Sequence, residues 1–125
     1  MIPLMFGILA VTVAACRPLG CASLRTGDYF TVEPEAKRTQ IHRGAEFQVE
    51  NFNNGERITE LRVTWVSDCE YNLTYHRTIA GPDIIPQVMK EGVLNVRIVE
   101  ITDSSYITRT KLVNLGPEIR QEIMF

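Results

Sequence analysis

The feature that most constrains this chain is a two-residue rhythm of apolar and polar side chains that sets in after Gly27 and runs nearly to the end. Successive side chains of a strand point to opposite faces, so strict alternation marks a sheet with one covered face. In "ITELRVTWVSD" Leu61, Val63 and Trp65 share one face, and Glu60, Arg62 and Thr64 share the other. In "EYNLTYHRTI" Tyr71, Leu73, Tyr75 and Ile79 oppose Glu70, Asn72, Thr74 and His76. The short "SDC" between them predicts a hairpin.

Six further segments follow the same logic. "DYFTVE" sets Phe30 with Val32, "KRTQIHR" offers only Ile41, and "AEFQVENF" points Phe47 and Val49 inward. The Asn53-Asn54-Gly55 turn that follows supplies the positive φ angles of a hairpin. "VLNVRIVEIT" starts with Leu94, Val96 and Ile98 and switches to Val99 and Ile101, which predicts a bulge near Ile98. "SYITRTKLV" follows the turn "TDSS", and "EIRQEIMF" brings Ile119, Ile123 and Phe125 into phase. Residues 80–92 leave room for one helical turn. Eight consecutive antiparallel strands predict an all-β, up-and-down meander that curls into a small lipocalin-like barrel. An open meander and a two-sheet sandwich satisfy the same alternation.

The first fifteen residues carry no charge. As a helix they reach about 22 Å, short of the roughly 30 Å hydrocarbon core of a bilayer. They suit a signal peptide, with Val13, Ala14 and Ala15 before Cys16. This resembles the lipobox of bacterial lipoproteins, in which the cysteine receives diacylglycerol and becomes the new N-terminus. Two features depart from the pattern: valine where leucine is commonest, and no basic residue in Met1–Pro3. Ordinary secretion with cleavage after Ala15, a retained membrane helix and a buried core helix are the competing readings.

The cysteine count favours lipidation. Of Cys16, Cys21 and Cys69, lipidation consumes the first and leaves an even pair, Cys21 and Cys69, expected to form a disulfide. A metal site is the rival use of that pair, but neither cysteine lies in a Cys-x-x-Cys motif and no histidine stands at ligand spacing. Thirteen Lys and Arg face fifteen Asp and Glu, scattered along the chain. Nothing in that distribution marks a nucleic-acid partner. The expected organisation is a signal peptide over residues 1–15, a lipid-attached tether over 16–24 and one barrel domain over 25–125.

Four pieces, the Cys16 signal, "CASLRTGDYF", "VTWVSDCEYNL" and "SSYITRT", resemble a group of small lipoproteins of unknown function from Bacteroidetes-type bacteria. The matching positions are Cys21, Thr26, Gly27 and Tyr29, then Trp65, Asp68, Cys69 and Tyr71. The 80–92 connection and the uncharged N-terminus depart from the group. The resemblance implies a Cys21–Cys69 disulfide and no established activity. Some chains of this kind carry a DNA topoisomerase IV label, which the absence of an ATP-binding motif and of a basic face contradicts.

Candidate chemistry is sparse. His42 and His76 fall on solvent-facing positions with no nucleophile or carboxylate paired to them by the pattern. Ser104 and Ser105 read as turn residues. Asn72-Leu73-Thr74 matches a glycosylation sequon by chance. Arg77 falls in phase with Tyr71 and Tyr75, while Thr108 and Thr110 fall in phase with Tyr106 and Leu112. With Trp65, these residues are the candidate lining of a ligand cavity. Against this stands the tendency of small barrels to be filled by their own side chains.

These features predict a membrane-anchored lipoprotein facing the periplasm, monomeric, without metal or cofactor, and acting as a non-enzymatic binding or interaction module. Its partner would be an envelope protein. A carrier of a small apolar ligand and an inhibitor of an envelope-attacking enzyme such as lysozyme are the alternatives.

Overall fold

The computed structural model describes residues 20–125; the expected leader and Cys16 lie outside the described residues. All eight strands form: β1 (Gly27–Val32), β2 (Arg38–Arg43), β3 (Phe47–Phe52), β4 (Arg57–Ser67), β5 (Glu70–Ala80), β6 (Leu94–Ile101), β7 (Ser105–Leu112) and β8 (Leu115–Met124). Each pairs antiparallel with the next, and β8 returns to β1, closing the ring. This is the up-and-down barrel predicted from alternation and short turns. Asn53, Asn54 and Gly55 hold positive φ between β3 and β4, as the turn requires. Between β5 and β6 stands one short helix, α1 (Gln87–Glu91). At Gly81, where φ is +82°, a β-carbon would collide with the Glu56 carbonyl oxygen. Only glycine lets that connection lie against the β3–β4 turn.

The two ends of the barrel differ. One carries the β1–β2, β3–β4, β5–β6 and β7–β8 connections. The other carries the remaining turns and the start of the described chain. This second end is sealed by a 3-10 turn, Cys21–Leu24, whose Leu24 side chain is only 2% exposed. A disulfide from Cys21 to Cys69, with Cα atoms 5.2 Å apart, pins the turn to the β4–β5 hairpin. Closing a loop of 48 residues is worth about 4 kcal/mol in the chain-entropy account. Of the tether expected over residues 16–24, positions 16–19 lie outside the described residues, while 20–24 are part of the barrel's sealed end. Cys21 and Leu24 pack into the core and belong to the domain.

Several side chains face opposite to expectation. Tyr29 and Thr31, not Phe30 and Val32, are the buried residues of β1. On β3 Gln48 is buried, and Phe47 and Val49 turn outward. Outward Phe47 is covered by Arg62, whose guanidinium carbon lies 4.8 Å from the ring centroid, and Phe30 by Arg38 at 4.3 Å. Cation–π stacking thus shelters aromatics that alternation alone would send inside. On β5 the pairing steps from Leu61↔Tyr75 to Glu60↔Arg77 and from Thr59↔Thr78 to Ile58↔Ala80, so His76 and Ile79 are looped out. These bulges put Arg77 on the outer surface, bonded to Glu60 at 2.9 Å, and leave Ile79 exposed. The bulge predicted near Ile98 does form, by omission of Val99, which is exposed, while Ile101 returns to the core. Ile119 keeps its inward phase yet is 65% exposed.

Candidate functional site

The lumen is built around a buried cation. Arg43 of β2 and Gln48 of β3 are cross-strand partners, 1% and 2% exposed. Arg43 Nε donates to Gln48 Oε1 at 2.8 Å and Nη1 donates to the Leu24 carbonyl at 2.8 Å. Nη2 donates to the hydroxyls of Tyr71 and Tyr106 at 3.0 and 2.9 Å. The guanidinium also lies over the faces of Tyr29 and Tyr71, 5.0 and 4.7 Å from their centroids. A buried charge is tolerable only when its donors are satisfied, and the planar fork of arginine suits several acceptors at once. Burial, reinforced by Tyr106, raises Tyr71 well above the usual tyrosine value. Its hydroxyl therefore serves as a neutral acceptor.

Two carboxyl groups stand above this floor. Gln48 passes the chain of hydrogen bonds to Glu50, donating from Nε2 to Oε2 at 2.7 Å. Glu33, just past β1, accepts from the hydroxyls of Thr31 at 2.7 Å and Thr39 at 3.2 Å. All of these direct partners are neutral. Burial lifts the Glu50 carboxyl above its usual range; the Gln48 hydrogen bond and the Arg43 charge oppose that shift, and nearby Glu33 adds to it.

Above Arg43 the barrel is hollow. A cavity of about 170 Å³ reaches from Arg43 and Tyr71 past Glu33, Thr39 and Glu50 to Leu94. A second space of about 160 Å³ beneath α1 shares Thr39, Glu50, Leu73 and Leu94 with it and has Phe52, Arg57, Tyr75, Ile85 and Met89 at the mouth. The expectation of a self-filled barrel thus holds at the sealed end and fails at the open one. There is also a side opening. β1 and β8 pair only at Phe30↔Met124. Beyond that pair a groove of about 490 Å³ separates Thr31–Glu33 from Ile119–Glu122. Thr31, Glu33, Thr110 and Gln121 line both the groove and the lumen, so the two spaces share a wall there.

Of the predicted lining residues, Tyr71, Tyr75 and Thr110 face the lumen. Trp65 does not. It lies at the sealed end, with its ring centroid 4.6 Å from that of Tyr71 and the Arg25 guanidinium 4.8 Å above it. Thr108 is wholly buried and bonded to the Gln121 carbonyl at 3.4 Å. Arg77 is outside, as described above. The polar heart of the lumen, Glu33, Thr39, Arg43, Gln48 and Glu50, was not predicted. A signal for it does exist: counting back from the Asn53–Gly55 turn pairs inward Leu61 with Gln48, and Gln48 then pairs with Arg43.

The histidines are solvent-exposed, as the alternation predicts. His42 pairs with Asp28 at 2.5 Å on the outside of β1 and β2, and His76 lies 3.7 Å from Glu60. Among the described residues no three His, Cys, Asp or Glu side chains gather as a metal site. No protein family, curated protein or solved structure matched the chain.

Proposed function

We propose that this chain is a lipid-anchored protein of the bacterial cell envelope whose barrel works as a monomeric, non-enzymatic binding module. The observation that carries the reading is the polarity of the barrel: one end is sealed where the chain enters, and the other is hollow and open. If Cys16 carries the lipid, the five-residue step to disulfide-held Cys21 spans at most about 17 Å. The sealed end then rests near the bilayer, and the mouth and the β1–β8 groove are presented to the periplasm. Cys16 itself is inferred from the sequence alone.

The carrier alternative is narrowed by the same geometry. The outer space of about 160 Å³ is largely apolar, but a long apolar ligand is poorly served by the inner part of the lumen, about 170 Å³ with Glu33, Glu50 and three threonine hydroxyls in its wall. A small polar solute or an inserted side chain suits it better. Intact-mass spectrometry of protein extracted from native membranes, without reductant, tests the anchor. A mass that lacks residues 1–15 and carries acyl groups with the bridge intact supports the reading. A mass that retains an unmodified leader overturns it.

A further inference from the structure

We propose that the β1–β8 seam is a peptide-docking site, where an extended segment of a partner protein adds as a strand along the free edge of β8 and directs a lysine or arginine side chain toward Glu33. The inference rests on the binding-module reading above and names its partner class.

The backbone carries the first part of the argument. β8 spans Leu115–Met124, yet only Met124 faces a partner on β1. Continuing that register would set Val32 against Glu122 and Glu33 against Gln121, but the strands diverge and a groove lies between them. Pro117 removes one donor from the outer part of β8, so the usable edge begins at Glu118. Proteins normally pair, cover or shorten such an edge. Among the described residues it is left beside an opening, with Val32 56% and Ile119 65% exposed at its rim. Main-chain groups along an unpaired edge are what strand addition uses, and alternate side chains of the added strand set its specificity.

The choice of side chain follows from the lumen. An added strand turns every second residue inward, where the groove opens onto Thr31, Glu33, Thr110 and Gln121. Glu33 holds its carboxylate with two threonine hydroxyls and no cation among those bonds. Arg43 lies deeper, with its donors committed to Gln48, Leu24, Tyr71 and Tyr106. Arg57 stands at the mouth, stacked on Phe52. Arg120 and Glu122 also line the groove, and Glu122 already accepts from the Ser105 hydroxyl. A basic side chain that passes them meets Glu33 where groove and lumen share their wall, and the hydroxyls of Thr31 and Thr110 can accept its remaining donors.

The test uses the full-length protein, labelled for amide resonances, and three probes. They are acetyl-Thr-Val-Lys-Val-Thr-amide, the same peptide with glutamate in the centre, and the lysine peptide N-methylated at both valines. The lysine peptide is expected to shift the amides of Val32, Arg120 and Gln121. The glutamate peptide should bind about tenfold more weakly, a difference of one power of ten in Kd. Glu33→Gln should erase that difference while leaving the seam responsive, and N-methylation should abolish binding. The proposal is overturned if no probe moves the seam amides, or if the N-methylated peptide binds as well as its parent. It is also overturned if those amides move with protein concentration alone, which assigns the edge to a second copy. Slow exchange of those amides before any peptide is added would overturn it too, because the edge is then already filled. If lumen residues respond to small solutes while the seam ignores every peptide, the binding-module reading survives and this inference fails.

Discussion

Arg43 and Tyr106 meet across the lumen, guanidinium Nη2 to phenol oxygen at 2.9 Å, although 63 positions separate them in the chain. The contact joins β2 to β7 through the interior rather than through the sheet. With the bonds to Gln48, Leu24 and Tyr71 it makes the sealed end a polar cluster wrapped in apolar residues.

Removing the cation should therefore cost more than removing any one acceptor. Arg43→Ala leaves two tyrosine hydroxyls and a carbonyl unpaired in the core, and the expected loss is about 3–5 kcal/mol. Tyr106→Phe deletes one acceptor and should cost about 1–2 kcal/mol. Urea unfolding of the variants measures both. An Arg43→Ala loss no larger than that of Tyr106→Phe contradicts the arrangement.

Glu50 gives a pH signature whose sign can be worked out. Burial raises its folded value above the ordinary 4.5, so the folded chain holds this proton more tightly than the unfolded chain does. Stability through this group is full below the unfolded value, falls as pH rises toward the folded value, and is flat beyond it. Glu50→Gln should raise the Tm at neutral pH, and the gain over wild type should vanish at pH 4. Thermal melts of the two proteins across that range check the trend; a constant difference counts against the burial account.

The N-terminal turn predicts a further pair of losses. Leu24→Ala should cost about 2–4 kcal/mol, because a nearly buried side chain leaves a cavity at the seal. Reducing the Cys21–Cys69 bridge should lower stability by about 4 kcal/mol at most. Both should leave the open mouth unchanged. Denaturation with and without reductant provides the measurement.

Gly81→Ala should cost about 1–3 kcal/mol, since it adds a left-handed strain to a clash with the Glu56 carbonyl. The same substitution at Gly55, where φ is also positive but no atom lies near the added carbon, should cost less. Comparing the two by urea unfolding separates the clash from the strain.

Much of the fold was legible because alternation and turn chemistry are local. The β4–β5 hairpin, the Asn53–Gly55 turn and the bulge at Val99 can each be read from residues contiguous in the chain. The facing of β1 and β3 was not, because Phe30, Val49 and Phe47 mimic a core face. Their cover comes from neighbouring strands, Arg38 on Phe30 and Arg62 with His76 on Phe47. The bulges at His76 and Ile79 are offsets set by pairing with β4, so the phase that placed Arg77 inside fails only once that pairing is seen. Arg43 was hidden for a related reason. A buried arginine makes sense only when Leu24, Gln48, Tyr71 and Tyr106 arrive together, and no window of the chain contains all four.

The proposed function requires this barrel to bind through its open end and not through its sealed one. Methyl chemical-shift mapping of the full-length protein against a panel of small organic solutes tests it most directly. Responses should gather on Leu61, Leu73, Met89 and Leu94 around the lumen, with Leu24 and Val63 silent. Responses centred on Leu24 and Val63, or no response from the lumen to any solute, would contradict it.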